Sequence, residues 1–291
     1  MMVASSPVAT ALAPLLVDGT GHGPARGGHL PAAIEARYGS PLWVPLRGDR
    51  PTVIANFVSS LDGVVSYNTP KAAGGGEVSG FFEPDRFVMG TLRALADAVL
   101  IGAGTLRAAP AERWTPDFIY PDGATPFAGL RAALGLRRYP LTTVVTASGS
   151  VDLSHPGLAD PAVDVVVVTT ELGGEALERQ GIPAHVDVRR TGDAVSPDDI
   201  LRALGFHGAE LVLCEGGPHL LGQLVSARVV DEMFLTLAPQ LAGRSAETPR
   251  LSLIEGAAFD VASAPWARLV DLRHAGDHLF TRYRLNGGTN S

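Results

Sequence analysis

The run LVLCEGGPHLLGQLVSARVVDEMFLTLAPQLAGR, residues 211–244, reads as strand, glycine turn, helix and second strand. Leu211–Cys214 is a short apolar run suited to a buried strand. Glu215-Gly216-Gly217 breaks it, and Pro218 stands where a first helical turn tolerates a missing N–H. Leu220, Leu221, Leu224 and Val225 then follow at helical spacing. Met233–Leu237 is a second strand, closed by Pro239. Glycines opening a helix leave backbone N–H groups uncovered at the positive end of its dipole, a seat for a phosphate. A plain β-α turn uses the same residues. Glu215, at the carboxyl end of a strand, favours the ligand seat, because ligands of open α/β sheets collect at that edge.

Working outward, the same alternation recurs. Thr52–Val58 reads as a strand, turned by Ser59-Ser60-Leu61-Asp62-Gly63, with Val64–Tyr67 as a short second strand. Lys71–Gly80 reads as a loop. Glu83–Leu95 carries Phe87, Val88, Leu92 and Leu95 on one helical side, and Asp97–Ile101 is a buried strand. Ala108–Ala133, rich in proline, reads as loop. Leu141–Thr146 and Val163–Val168 are strands; Gly174–Gln180 is a helix and Ala184–Val188 a short strand. Ser196-Pro197-Asp198-Asp199 is a helix start with cap, proline and first-turn acids. Ala267–His274 and His278–Leu285 flank Ala275-Gly276-Asp277 as a hairpin. Strands alternating with helices predict a three-layer α/β domain, its sheet mostly parallel and covered on both faces, with the C-terminal antiparallel hairpin at one edge. The expected division is an irregular N-terminal extension over 1–49, a domain over 50–286 and a polar tail over 287–291. Ala32–Tyr38 is a short helix within the extension.

The chain has 291 residues and a net charge of −7, which argues against a nucleic-acid or anionic-membrane surface. A phosphate-bearing ligand must then be met by local arginines and backbone amides. The single cysteine, Cys214, excludes an intrachain disulfide and a multi-cysteine zinc site. No apolar run reaches transmembrane length. No basic residue precedes the apolar piece Ala11–Val17, so the chain reads as cytoplasmic.

Gly102-Ala103-Gly104-Thr105-Leu106-Arg107 opens like a dinucleotide fingerprint, but Arg107 replaces the third glycine. Ser148-Gly149-Ser150 and Thr169-Thr170 are two further polar turns at strand ends. Each alone is ordinary turn chemistry; four at carboxyl ends can line one long cofactor. Asp62 and Glu215 are carboxylates beside such turns, suited to a hydroxyl, an amino-pyrimidine or a proton, and Asp62 equally to an Asx-turn with Gly63. Zinc-protease, zinc-deaminase, P-loop and hydrolase-elbow motifs are absent, and no metal is expected. Hydride transfer, in which a cofactor carries the hard step, fits what remains.

Together NFVSSLDG (56–63), LRA (92–94), DAVLIGAGTLR (97–107), LCEGGPHLL (213–221), VDE (230–232) and LAP (237–239) resemble the reductase domain of riboflavin biosynthesis, within the dihydrofolate-reductase-like superfamily. The resemblance covers roughly residues 50–285. It implies NADPH reducing a ribosylamino-pyrimidine phosphate at ribose C1′ to the ribityl product. It places cofactor on Gly102, Gly104, Thr105, Gly216, Gly217, His219 and Leu220, with Ser148 at the 2′-phosphate; Thr169 is a cofactor candidate from its strand-end turn alone. It places substrate on Asn56, Ser60, Asp62, Arg107 and Glu215, with Asp62 and Glu215 nearest the hydride. It also implies a homodimer through strands near the C-terminus. Two departures stand out. Ala108-Ala109-Pro110 lacks the acids that often follow Thr-x-Arg, and the N-terminal zinc deaminase motif of the bifunctional form is missing. The competing expectations are a pterin reductase on the same fold and a non-catalytic nucleotide-binding protein.

Overall fold

The computed structural model describes residues 10–17, 24–69 and 73–285. The chain begins with β1 (Ala13–Val17), β2 (Ala25–Gly28), α1 (Ala32–Tyr38) and β3 (Leu42–Pro45). Next come β4 (Thr52–Ser59), β5 (Val64–Ser66), α2 (Gly76–Ser79), α3 (Glu83–Leu95), β6 (Ala98–Gly102) and α4 (Ala103–Ala108). α5 (Pro116–Ile119), α6 (Ala124–Ala133), β7 (Leu141–Thr146), β8 (Val165–Thr170), α7 (Glu171–Glu178) and β9 (Val186–Thr191) follow. The last part is α8 (Pro197–Phe206), β10 (Leu211–Cys214), α9 (Pro218–Ser226), β11 (Glu232–Leu237), β12 (Leu251–Ser252), β13 (Arg268–Ala275) and β14 (His278–Arg284).

Strand alternation sorts the apolar side chains into two layers. Ile54, Val99, Ile101, Val144, Val165, Val167, Leu211 and Leu213 face one core with Phe87, Leu92 and Leu95 of α3. Val53, Ala55, Ala98, Leu100, Val166, Val168, Val212 and Cys214 face the other, with Ile200 and Leu204 of α8 and Leu220, Leu221 and Leu224 of α9. The sheet is ten-stranded in the order β1-β13-β14-β11-β4-β10-β6-β7-β8-β9. From β11 to β9 every neighbouring pair is parallel; β1, β13 and β14 are antiparallel additions. This is the three-layer α/β architecture the sequence predicts.

Two expectations need correction. Residues 1–49 are not an irregular extension where they are described. β1 forms the outer edge of the large sheet beside β13, so the C-terminal hairpin is not the edge. Leu12, Leu30, Ile34, Tyr38, Leu42 and Val44 are buried in the α3-side core. Arginines fix this segment: Arg26 to Asp97 and Glu210, Arg37 to Glu83 and Tyr120, and Arg273 to Asp271, Ser40 and the Tyr38 carbonyl. Its glycines and prolines obscured the pattern because its strands are short and only partly alternating.

Residues 108–133 are not a loop either. Pro116 and Pro121 stand at helix starts, where proline is tolerated, so they open structure rather than break it. Phe127 and Leu130 of α6 are buried. Arg131, also buried, donates to the carbonyls of Arg93, Ala94 and Ala96 at 3.1, 3.2 and 2.7 Å, satisfying the open end of α3. Smaller differences are the one-turn α2 inside the glycine-rich loop and the shift of α7 and β9 to Glu171–Glu178 and Val186–Thr191. The 287–291 tail lies outside the described residues. No helix among them is long and apolar enough to cross a membrane.

Candidate active site

At the middle of the sheet β10 inserts between β4 and β6, so three carboxyl ends lie side by side. Two glycine turns meet there. The Glu215 amide donates to the Leu100 carbonyl at 3.0 Å, pinning the β10 turn to β6. A Cβ on Gly216 would stand 3.2 Å from the Gly102 nitrogen, 3.3 Å from Ile101 Cα and 2.6 Å from Leu220 Cδ2. A Cβ on Gly217 would stand 3.2 Å from Thr105 Oγ1. Only glycine lets the two backbones approach this closely, and the start of α9 opens over the seam. Such a cradle of backbone N–H groups and a hydroxyl is chemically suited to a diphosphate. Leu220 is buried beneath the turns and forms their floor; His219 beside it is exposed.

The carboxylates are held differently from each other. Glu215 is clamped by Arg93, whose Nε lies 3.1 Å from both oxygens and whose Nη2 lies 2.7 Å from Oε2. The same guanidinium contacts Glu112 and the carbonyls of Arg113 and Thr115. Burial pushes the Glu112 carboxyl up, against the pull of Arg93. Asp62 accepts from Ser60 Oγ at 2.6 Å and from the amides of Ala242 and Gly243 at 3.0 and 2.6 Å. The Ser60 hydroxyl, then those amides, hold its carboxyl well below the usual carboxylate range. Asp62 therefore ties its turn to the 242–244 loop, where Arg244 donates back to the Asp62 carbonyl at 3.0 Å. Ser60 is spent in the same turn, accepting from the Val64 amide at 2.9 Å.

Asn56 on β4 sits on the α3 side, in a small interior cavity shared with Val88 and Thr236. Near it Asp85 of α3 is buried, and burial pushes its carboxyl up to about 6, against the Thr236 and Ser79 hydroxyls. On the other flank, Ser148 is exposed and its Oγ accepts from the Ser150 amide at 3.3 Å. Thr169 does not join it. Its hydroxyl is fully buried where a Gly173 Cβ would fall, and Thr170 caps α7 instead. Thr169 is thus a core residue, placed by strand parity.

The structure brings Asn56, Ser60, Asp62 and Glu215 to adjacent strand ends, next to Gly102, Gly104, Thr105, Gly216, Gly217 and His219. It does not bring Arg107 to that group. Arg107 leans the other way, its Nη1 donating to the Ser150 carbonyl at 3.3 Å, beyond β7. Sequence reasoning missed Arg93, Asp85 and Arg244. Arg93 stood within a recognised motif, yet no spacing rule says that a helical arginine reaches a carboxylate 122 positions on. Among the described residues no three metal-capable side chains converge.

The family model of the RibD C-terminal domain matches residues 51–276, which include every element of this site. The chain belongs to that family. A 2,5-diamino-6-ribosylamino-4(3H)-pyrimidinone 5′-phosphate reductase of Archaeoglobus fulgidus is 29% identical over 194 residues, 67% of this chain and 83% of that protein. The enzyme of the same name from Methanothermobacter thermautotrophicus is 28% identical over 240 residues, 82% of this chain and 100% of that one. Among solved structures, a pyrimidine reductase-like protein from Corynebacterium diphtheriae matches with a TM-score of 0.63 at 24% identity, over 88% of this chain and 99% of that one. A deaminase/reductase from Thermotoga maritima matches with a TM-score of 0.60 at 21% identity, over 81% of this chain. This chain spans 57% of the Thermotoga chain. Both confirm the fold.

Proposed function

We propose that the protein is an NADPH-dependent reductase of a ribosylamino-pyrimidine phosphate, acting in flavin synthesis. The observation that carries this reading is the seam where the Gly102–Thr105 and Glu215–Gly217 turns abut, beside Asn56 and the clamped Glu215. The curated relatives that match most of the chain carry the corresponding name. The residues fit a dinucleotide: Gly102, Gly104, Thr105, Gly216, Gly217 and His219 line its diphosphate and nicotinamide end, with Ser148 toward the adenosine. When bound, NADPH would supply a hydride from nicotinamide C4 to C1′ of the ring-opened sugar imine, whose C=N bond becomes a single bond as the nitrogen takes a proton from water, leaving NADP+.

The chain's own residues bind and orient. Asn56 offers an amide to the pyrimidine. Glu215 presents a fixed carboxylate toward the sugar hydroxyls, because Arg93 prevents it from turning. Asp62 and Ser60 shape the wall rather than transfer protons, since their polar atoms are engaged within the turn. Arg244, on the Asp62 side, is a cation within reach of the substrate phosphate. A homodimer in solution belongs to the same proposal, and sedimentation equilibrium tests it.

The reaction is tested by loss of reduced-nicotinamide absorbance with 5-amino-6-ribosylamino-pyrimidinedione phosphate in one cuvette and dihydrofolate in another. Turnover with the ribose phosphate alone is expected. Turnover with dihydrofolate alone moves the substrate to a pterin. Oxidation with neither, alongside tight NADPH binding, removes the reaction.

A further inference from the structure

A cavity of about 380 Å³ lies away from the glycine seam, between the 113–121 segment, Tyr139 and the 156–163 turns. Tyr139 and Val163 precede β7 and β8, so the cavity opens at the amino edge of the sheet. A six-residue strand such as β7 separates the two edges by about 20 Å. The volume is that of a small-molecule site. No side chain of its lining takes part in the site described above.

Its polar groups are under-used. Asp117 Oδ1 is buried without a hydrogen-bond donor, and Oδ2 lies 3.5 Å from the Tyr139 hydroxyl, the outer limit of such a bond. A buried acceptor left open on a cavity wall marks a missing donor. The broad χ2 torsion of aspartate lets either oxygen face the cavity. Arg113 meets Asp160 at 3.6 Å, too far for a hydrogen bond, so its donor fork is open. Asp160 is held from its own side, its Oδ1 accepting from the Ala162 amide at 3.0 Å. Phe118 is 38% exposed and, with Tyr139, gives the cavity aromatic surface. Paired acceptors, a guanidinium donor and aromatic rings match a flat heterocycle that carries an amino group, a ring N–H and a carbonyl on one edge, as guanine does. A simple amine leaves the guanidinium unused, and a phosphate meets two aspartates.

The cavity shares a wall with the clamp on Glu215. Arg93 Nη1 donates to the carbonyls of Arg113 and Thr115 at 3.0 and 3.2 Å, and both residues line the cavity. The same guanidinium holds Glu215 through Nε and Nη2. A ligand that orders residues 113–117 therefore fixes two of the acceptors that set Arg93.

We propose that this cavity binds a guanine-like amino-oxo heterocycle, through Asp117, Arg113 and the rings of Phe118 and Tyr139, and that its occupancy tightens the Arg93–Glu215 clamp. The binding stands apart from the reductase reading above; the effect on turnover rests on it.

The test is ligand-observed NMR titration of the full chain with guanosine and with adenosine, under saturating NADPH so that the cofactor seat is filled. Wild type is expected to bind guanosine at least tenfold more tightly than adenosine. Asp117→Asn should weaken guanosine at least tenfold, Phe118→Ala at least threefold and Asn56→Ala less than twofold. Asp117→Asn is isosteric and Phe118 is exposed, so both variants should melt with the wild type. Saturating guanosine should lower the KM for the pyrimidine phosphate at least threefold in wild type and leave it unmoved in Asp117→Asn, as linkage between two sites requires. Equal affinity for the two nucleosides, or none for guanosine, overturns the site. Guanosine affinity that is unchanged in both Asp117→Asn and Phe118→Ala, or lost in Asn56→Ala, places the ligand at the carboxyl edge and overturns it too. Guanosine bound with an unmoved or raised KM overturns the link to Glu215. A chain without turnover on any pyrimidine removes the reductase reading and the effect on turnover with it, while the binding results still decide the site.

Discussion

Arg93 and Glu215 form a buried, two-point ion pair: Nη2 lies 2.7 Å from Oε2, and the side chains are 1% and 6% exposed. Removing one partner of such a pair leaves the other charged without solvent, at a cost of about 3–5 kcal/mol. Arg93→Ala should lose stability on that scale in urea denaturation, and Glu215→Gln less, because the amide still accepts a hydrogen bond. The double variant Arg93→Leu/Glu215→Leu should be less destabilised than Arg93→Leu and Glu215→Leu summed. Strict additivity would sink the idea that the guanidinium exists to hold this carboxylate.

The glycine seam separates stability from ligand binding. At Gly216 a Cβ meets backbone at Gly102 and Ile101, and backbone cannot step aside as the Leu220 side chain can. Gly216→Ala is expected to weaken NADPH binding at least tenfold and to lower the melting temperature. At Gly104, in α4, a Cβ has nothing within 4 Å. Gly104→Ala should stabilise that helix by up to about 1 kcal/mol. If the cofactor lies against α4, the same substitution weakens NADPH binding while the protein melts higher. Unchanged affinity would place the cofactor elsewhere.

What was legible in the sequence was whatever a local pattern encodes. The Val/Ile/Leu runs of β6, β7, β8 and β10 name a buried parallel sheet, and the Ser196–Asp199 start of α8 is observed as a full capping box. The glycine turns were legible because close backbone approach leaves only one residue type. Long-range partnership was not legible. Nothing near Asp62 announces that residues 242 and 243 supply its amides, and nothing near Arg107 says whether it leans toward β10 or β7. Thr169 failed for a simpler reason. Both adjacent threonines are buried; alternation turns Thr169 into the core and leaves Thr170 to cap α7, an order set by register. The N-terminal strands went unread because β1 pairs with β13 and the segment's apolar side chains pack on the α3 core, both far along the chain.

Asp85 predicts a pH signature. Burial raises its folded-state value from 3.8 to about 6. A raised carboxyl favours the folded state while protonated. Its contribution is fully present below the unfolded value near 4 and is lost as pH rises through about 6. Above that the ionised group costs roughly 2–3 kcal/mol, the shift converted at about 1.4 kcal/mol per unit. Asp85→Asn should therefore be more stable than wild type at pH 7.5, by up to that amount, with the gap closing toward pH 4. Urea midpoints of both proteins across this range check it. A gap independent of pH would mean that folding does not raise the Asp85 carboxyl.

The N-terminal segment is the last test, because the family match begins only at residue 51. Leu12, Leu30, Ile34, Tyr38, Leu42 and Val44 are each at most 6% exposed and share a core with α3. Each large apolar side chain contributes about 1.5–3 kcal/mol when buried. Together they rival the whole stability of a typical domain, about 5–15 kcal/mol. Truncation also leaves Arg273 without Ser40 and the Tyr38 carbonyl, leaves Asp97 without Arg26, and uncovers the β13 edge, which invites pairing between chains. A chain starting at residue 47 should be insoluble or unfolded by circular dichroism, although it retains every site residue. The single change Ile34→Ala should cost about 2–5 kcal/mol and leave turnover of the folded fraction unchanged. A truncated chain that melts within a few degrees of the full one would show that the segment covers a core complete without it.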